Sequence, residues 1–363
     1  MNKTEQTIEV RLSGTIVGKF ALTSDYIGAF EYDRDYLRTG VSISPFYLPL
    51  KLGVFIAKKN PFEGNFGVFN DSLPEKWGKL LQDRYLVSHG IRPDSLTIMD
   101  QLRLIGSSGR GALEYYPKSP VIAEMDDLNY DNLAIEAEKM LNLKDYTGDQ
   151  IDLLFKIAGS SGGSRPKIFA NVGETEWMIK LKGPLNPQNI GKEEYQYAIL
   201  AKKCGIEMPD THLFSGKYFG VKRFDRENGL KYHVISAAGL LNADYLKPSL
   251  DYTTLLTACF KLTGNIEEVY KLFRLMIFNV CINNRNDHAR NFSFILRENK
   301  WYLSPAYNLM PCSGFNGTHE TTLNGQGNPS RSDIFAVAEN VGLNKQRTSA
   351  IYDDNRNIIP RED

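Results

Sequence analysis

Apolar and polar residues alternate through positions 6–22 and break once, at Ser13-Gly14. That pattern predicts a β-hairpin with a tight turn. Further short strands are expected at Tyr26–Tyr32 and Phe46–Leu50. From 72 to 88 the period lengthens, placing Trp77, Leu80, Leu81 and Tyr85 on one helical face. Ser72 is placed to cap this helix, with Pro74 in its first turn. A short helix over 95–105 and the turn Gly106–Gly111 then close an N-terminal domain, 1–118. An acidic stretch, 119–150, with a helix at Met125–Leu141, reads as a helical bridge. Residues 151–225 read as short strands and 226–363 as mostly helical, with one hairpin over 292–304 and a helix near 331–340. The fold class expected is α+β, with a small β-rich N-terminal domain followed by two lobes, the second mostly helical.

Charge narrows the partners. Lys plus Arg and Asp plus Glu both number 43 in 363 residues, so bulk charge gives no reason to bind nucleic acid or a membrane unaided. Cys204, Cys259, Cys281 and Cys312 form no C-x-x-C pair, which fits a reduced, cytoplasmic protein. No window approaches 18 apolar residues, and the first residues lack a signal-peptide core, so no membrane association is expected.

The chemistry is concentrated in Asn283–Phe294. Protein kinases place a catalytic Asp five residues before an Asn that holds Mg²⁺. Here Asn291 fits the metal-binding Asn, Asn286 stands at the base position, and Asp287 is out of register by one. The hairpin that follows delivers Ser304-Pro305-Ala306-Tyr307-Asn308, and Asn308 stands where kinases keep the metal-binding Asp of Asp-Phe-Gly. An amide at 286 cannot accept a proton, a deficit typically worth ~10²–10⁴-fold in rate. An amide at 308 removes one charge from a site for a hard cation.

Upstream elements follow the order of a kinase small lobe. Gly159–Lys167 is a Gly/Ser run whose backbone N–H groups can approach phosphate, although an isolated run of this kind is more often a plain turn. Lys180 ends the next strand, where a kinase keeps its phosphate-binding lysine. Glu193 and Glu194 open the following helix, either to orient Lys180 or to complement the helix dipole. Phe219–Arg226 reads as a strand and then a hinge whose backbone would bond an adenine edge, or with Phe224 as simple core.

With these motifs, the chain resembles the HipA family of toxin kinases from bacterial toxin–antitoxin modules, over almost its whole length. The resemblance is carried by residues 45–51 (PFYLPLK), 66–84 (FGVFNDSLPEKWGKLLQDR), 109–117 (GRGALEYYP), 158–167 (AGSSGGSRPK), 284–294 and 302–311 (YLSPAYNLMP). It implies a two-lobed protein-kinase-like fold and a serine/threonine kinase using ATP and Mg²⁺. It implies an aminoacyl-tRNA synthetase as protein substrate and growth arrest as outcome. By the same matching, Ser160 is the autophosphorylated serine, with Ser161 and Ser164 as rivals. Ser161, Gly162, Gly163, Ser164, Lys180, Lys222 and Phe224 meet nucleotide, and Asn291 and Asn308 take the metal positions. Asn286 and His288 take the catalytic positions, His288 either near the reacting phosphate or as a structural hydrogen-bonder. The implied partner is a small helix-turn-helix antitoxin, through which operator DNA is reached. The amides at 286 and 308 fit an inactivated kinase toxin or a natural pseudokinase acting as a binding module. The segments PFYLPLK and DSLPEKWG suggest no role in phosphoryl transfer, and the chain ends early for this family.

Overall fold

The computed structural model describes residues 7–118, 129–142, 148–158 and 161–360. Strands β1 (Thr7–Leu12) and β2 (Thr15–Leu22) form the expected hairpin. Ser13 and Gly14 both have positive φ (48° and 83°), the turn that matches the twist of paired strands. With β3 (Gly28–Tyr32), β4 (Val54–Ile56) and β5 (Leu113–Tyr116) they build an antiparallel sheet of order β4-β3-β2-β1-β5. Its inward residues, Ile8, Val10, Val17, Phe20 and Phe30, are fully buried.

Two local expectations fail here for reasons of proline chemistry. Residues 46–50 form no strand, because Pro45 and Pro49 bracket the run and cannot donate to a ladder. Leu48 is buried instead, and its carbonyl accepts from Tyr32 Oη and Ser42 Oγ, both at 2.7 Å. The helix begins at Lys76, not near Ser72, since Pro74 disfavours helical backbone at Leu73. The Ser72 hydroxyl pairs with the Tyr115 hydroxyl at 2.7 Å and caps nothing.

A second antiparallel sheet has the order β6-β7-β9-β8, from β6 (Lys167–Val172), β7 (Thr175–Lys180), β8 (Thr211–Phe214) and β9 (Tyr218–Lys222). Helix Tyr130–Leu141 lies within the expected bridge; the part of that call before residue 129 lies outside the described residues. Residues Gly148–Ala158, read as the start of a strand region, form a helix that buries Ile151, Leu154, Phe155 and Ile157 at helical spacing.

This helix packs against Lys76–Ser88, with Tyr85 stacked on Phe155 at 4.3 Å. Trp77, Leu81, Leu154, Ile168 and Ile179 belong to one hydrophobic core. The chain accordingly forms two compact units, 1–192 with 210–233, and 193–209 with 234–363. The segments expected as separate domains, 1–118, 119–150 and 151–225, fall mainly within the first. A buried ion cluster reinforces it. Asp225 Oδ2 accepts from Gly111 N (2.8 Å), Arg223 (2.7 Å) and Arg226 (3.0 Å), while Arg226 donates to the carbonyls of Gly111 and Gly109. Burial works to raise the Asp225 pKa, but the two guanidinium groups hold it well below the usual carboxylate range.

In the second unit, helices Tyr252–Thr263 and Ile266–Cys281 are capped by Asp251 and Asn265 and separated by Gly264 at φ 63°. Helix Arg331–Asn340 lies where expected. The charged end holds a further helix, Lys345–Ile358, whose buried face is Thr348, Ile351 and Asn355, too polar to mark the period. No helix among the described residues is long and apolar enough to cross a membrane.

His233 gives a test of the first unit. It is buried, with Nε2 2.8 Å from the Ile43 carbonyl, and burial pushes its pKa down to about 4. The unfolded imidazole takes its proton near pH ~6.5, so stability is intact above that value and falls as pH drops toward 4. Urea unfolding should show His233 costing roughly 2 kcal/mol between pH 7 and pH 5, a slope that His233→Gln lacks.

Candidate functional site

The candidate residues divide between the two units. In the first, the Gly/Ser loop from Ser161 to Lys167 is held from both sides; Gly159 and Ser160, the expected autophosphorylation position, lie outside the described residues. On one side stands the start of helix Lys76–Ser88. Gly163 N donates to Glu75 Oε2 (3.3 Å), Trp77 N donates to Gly163 O (3.1 Å), and the Trp77 indole N–H donates to Lys167 O (3.1 Å). Gly78 permits the approach, since a Cβ there would stand 2.4 Å from the Ser161 carbonyl oxygen. On the other side, the Lys167 ammonium donates to the Gly162 carbonyl, and Arg165 Nε donates to Leu181 O at 2.9 Å. DSLPEKWG, without a role at the level of sequence, is therefore the clasp of the Gly/Ser loop.

Gly162 and Ser164 are exposed, and Gly163 is half-buried. Ser161 is 2% exposed, and its hydroxyl has no partner among the described residues. Lys180 is buried at the end of β7, paired across the ladder with Lys167 and Phe219, its ammonium 5.7 Å from the Phe219 ring centre. Lys222 ends β9, and its N–H is spent on the Asp210 carbonyl at 2.8 Å; Arg223 N is likewise spent on Glu176 O at 2.9 Å. That leaves the Lys222 amide unable to donate to an adenine edge without releasing Asp210. Phe224 is half-buried beside the Arg223–Asp225 cluster.

The second unit carries the candidate catalytic loop, directly after helix Ile266–Cys281. Asn283 takes left-handed backbone at φ 54°, a conformation asparagine tolerates. Asn284 is buried and donates to Asn279 Oδ1 (2.9 Å) and to the Asn308 carbonyl (3.3 Å). His288 Nδ1 accepts from Arg290 N at 3.2 Å, which caps the turn Ala289–Asn291 and gives His288 a structural hydrogen bond. The hairpin Ser293–Arg297/Lys300–Leu303 turns at Glu298 and Asn299, both at positive φ, as its sequence predicts. Tyr307 then ties hairpin to loop, donating to the Arg290 carbonyl (2.8 Å) and accepting from the Ser293 hydroxyl (2.6 Å). Of the two acids opening helix Ile190–Lys203, Glu194 is buried and Glu193 half-exposed.

The result brings Asn286, Asn291 and Asn308 together. Asn308, at φ 56°, donates from Nδ2 to Asn291 Oδ1 at 3.0 Å, and Asn291 donates from Nδ2 to the Asn286 carbonyl. Asp287 is no substitute base. It is fully buried and its carboxylate accepts from Tyr252, Glu320 and Thr321, with His319 Nδ1 at 2.9 Å. Among the described residues, no group of three or more His, Cys, Asp and Glu is placed to hold a metal. Magnesium favours carboxylate oxygen. The two metal positions here offer only amides, already bonded to each other, and do not fit a resident Mg²⁺.

A family profile described as the HipA N-terminal domain matches residues 8–116, and one described as the HipA-like C-terminal domain matches residues 159–361. The chain belongs to the HipA family. It is 24% identical over 332 residues to a putative kinase of Sinorhizobium fredii, covering 84% of this chain and 76% of that one. It is 22% identical over 342 residues to the serine/threonine-protein kinase toxin HipA of Shewanella oneidensis, covering 84% and 75%. Its fold matches a Shewanella oneidensis HipA structure, solved with HipB and operator DNA, at TM-score 0.73 and 18% identity, covering 98% of this chain and 92% of that one. The α+β class, with a β-rich N-terminal region before a kinase-like fold, is that of the HipA structure. Kinases of this family use ATP and a metal in general.

Glu75, Trp77 and Gly78 support the loop from a segment distant in the chain and are not legible in sequence; Lys167 supports it from within. The spacing of Lys167, five residues after Gly162, was the one local signal. Gly78→Ala should release the loop: amide exchange at Gly163 should quicken, and the forced contact should cost about 1–3 kcal/mol in urea unfolding.

Proposed function

We propose that this chain is a HipA-type protein that binds ATP and a small helix-turn-helix antitoxin, with phosphoryl transfer suppressed by Asn286 and Asn308. The observation that carries this reading is the meeting of Asn308, Asn291 and Asn286, joined by the side chains of the first two and the backbone carbonyl of the third, within a kinase-like loop and hairpin. Lys180 supplies positive potential for the phosphates. Asn286 cannot take the proton of an attacking hydroxyl. That leaves a bound nucleotide without a base, a deficit of ~10²–10⁴-fold.

With acids at both positions the same scaffold would be a toxin kinase. Its expected substrate is a protein serine or threonine, on an aminoacyl-tRNA synthetase by resemblance, and its own Ser160. Phosphate on Ser160 would place roughly −1.5 to −2 charges in the phosphate-binding loop and expel it. The antitoxin reading draws on the HipA relative that was solved with HipB and operator DNA. The balance of 43 basic and 43 acidic residues fits a protein that reaches DNA through such a partner.

The test compares the chain with its Asn286→Asp, Asn308→Asp double variant, using γ-labelled ATP, Mg²⁺ and bacterial lysate. The double variant should label itself and a synthetase-sized protein at least ~10²-fold faster than the parent chain. If both bind ATP and neither transfers phosphate, the kinase reading fails and a nucleotide-binding module remains. Magnesium separates the two as well. ATP affinity of the parent chain should change less than about threefold on adding EDTA, whereas that of the double variant should depend on Mg²⁺.

A further inference from the structure

In many kinases the segment after the metal-binding hairpin is ordered by phosphorylation, through new arginine–phosphate pairs. The corresponding segment here, Cys312–Thr322, is held by a fixed negative charge. Its ends lie on the catalytic loop through backbone bonds: Cys312 N to Asn283 O (3.0 Å), Arg285 N to Cys312 O (3.1 Å) and Glu320 N to Arg285 O (3.2 Å). At the centre is Asp287. Oδ1 accepts from Glu320 N (2.9 Å) and Thr321 N (3.3 Å), and Oδ2 accepts from the Tyr252 hydroxyl (2.9 Å) beside His319 Nδ1 (2.9 Å). The Asp287 carbonyl accepts from the Thr321 hydroxyl, also at close range. A fully buried carboxylate with this many donors fixes both the segment and the loop that carries Asn286.

We infer that Asp287 is the positioning residue that holds segment 312–322 on the catalytic loop permanently, in the role an activating phosphate serves elsewhere. This rests on the kinase-like reading of the segment. Phosphorylation of the segment itself would therefore work against this hold. The Asp287 carboxylate accepts from Thr321 N at 3.3 Å, and Thr322 donates to Asp251 Oδ2 at 2.6 Å, so phosphate on either threonine would meet negative charge.

The variant Asp287→Asn keeps the volume and loses acceptor capacity. Amide exchange at Glu320 and Thr321 should rise about tenfold or more, while helices Tyr252–Thr263 and Ile266–Cys281 stay protected. In the Asn286→Asp, Asn308→Asp background, the added Asp287→Asn should cut transfer to lysate protein about tenfold and leave ATP affinity within about twofold. A merely structural aspartate would lower ATP affinity and global protection together, and unchanged exchange at Glu320 and Thr321 would also overturn the inference. Should Asp287→Asn not fold, His319→Leu removes one contact of the same carboxylate and must raise exchange at Glu320 several-fold; no rise would sink the proposal. If the background variant transfers no phosphate at all, the kinase reading fails, and the exchange arm still decides the anchor.

Discussion

Irregular backbone needs hydrogen-bond partners, and in this protein carboxylates supply them at a distance in sequence. Glu75 accepts from Gly163, Asp225 accepts from Gly111, and Asp287 accepts from Glu320 and Thr321. Glu75 and Asp225 hold glycine turns that have no ladder of their own, and Asp287 holds the short strand Thr321–Thr322 and the residue before it. A buried N–H left unmet costs about 1–3 kcal/mol, and a bond to a charged acceptor is worth about 1.5–3 kcal/mol. The loops that carry chemistry can therefore be irregular and still have one conformation. Removing one of these acids exposes two failures together, an orphaned donor and a loosened loop.

The first unit shows how the N-terminal region joins the chemistry. Trp77 fills the shared core with its ring, and its two N–H groups hold Gly163 and Lys167. One side chain thus couples the packing of the helix Lys76–Ser88 to the shape of the Gly/Ser loop. Any change in that loop, including added charge, must contend with this clasp. The region is part of the loop's support, which accounts for a domain that contributes no reacting group.

In the second unit, three asparagines meet where the proposed function needs charge. Asn308 and Asn291 satisfy each other, and Asn291 satisfies the Asn286 carbonyl. Two aspartates in those places would repel each other and require a cation between them. Here the Asn308 amide donates to Asn291 instead, and Asn291 donates to the backbone carbonyl of Asn286.

The sequence determined what local chemistry governs. The hairpin at Ser13-Gly14, the hairpin at Glu298-Asn299, the helix Arg331–Asn340 and the order of kinase-like motifs all depend on turn residues and periodicity within a short span. The motif spacing also located Asn286, Asn291 and Asn308, whose side chains and carbonyl the structure joins. Proline overrode apolar alternation at 46–50, and a polar buried face concealed the helix Lys345–Ile358. Only the tertiary structure decided that DSLPEKWG clasps a loop some 85 residues away, that Lys222 spends its amide on Asp210, and that Asp287 serves a segment 33 residues on. Those are long-range pairings, fixed by the need to satisfy buried polar groups, and no local pattern records which partner a buried group will find.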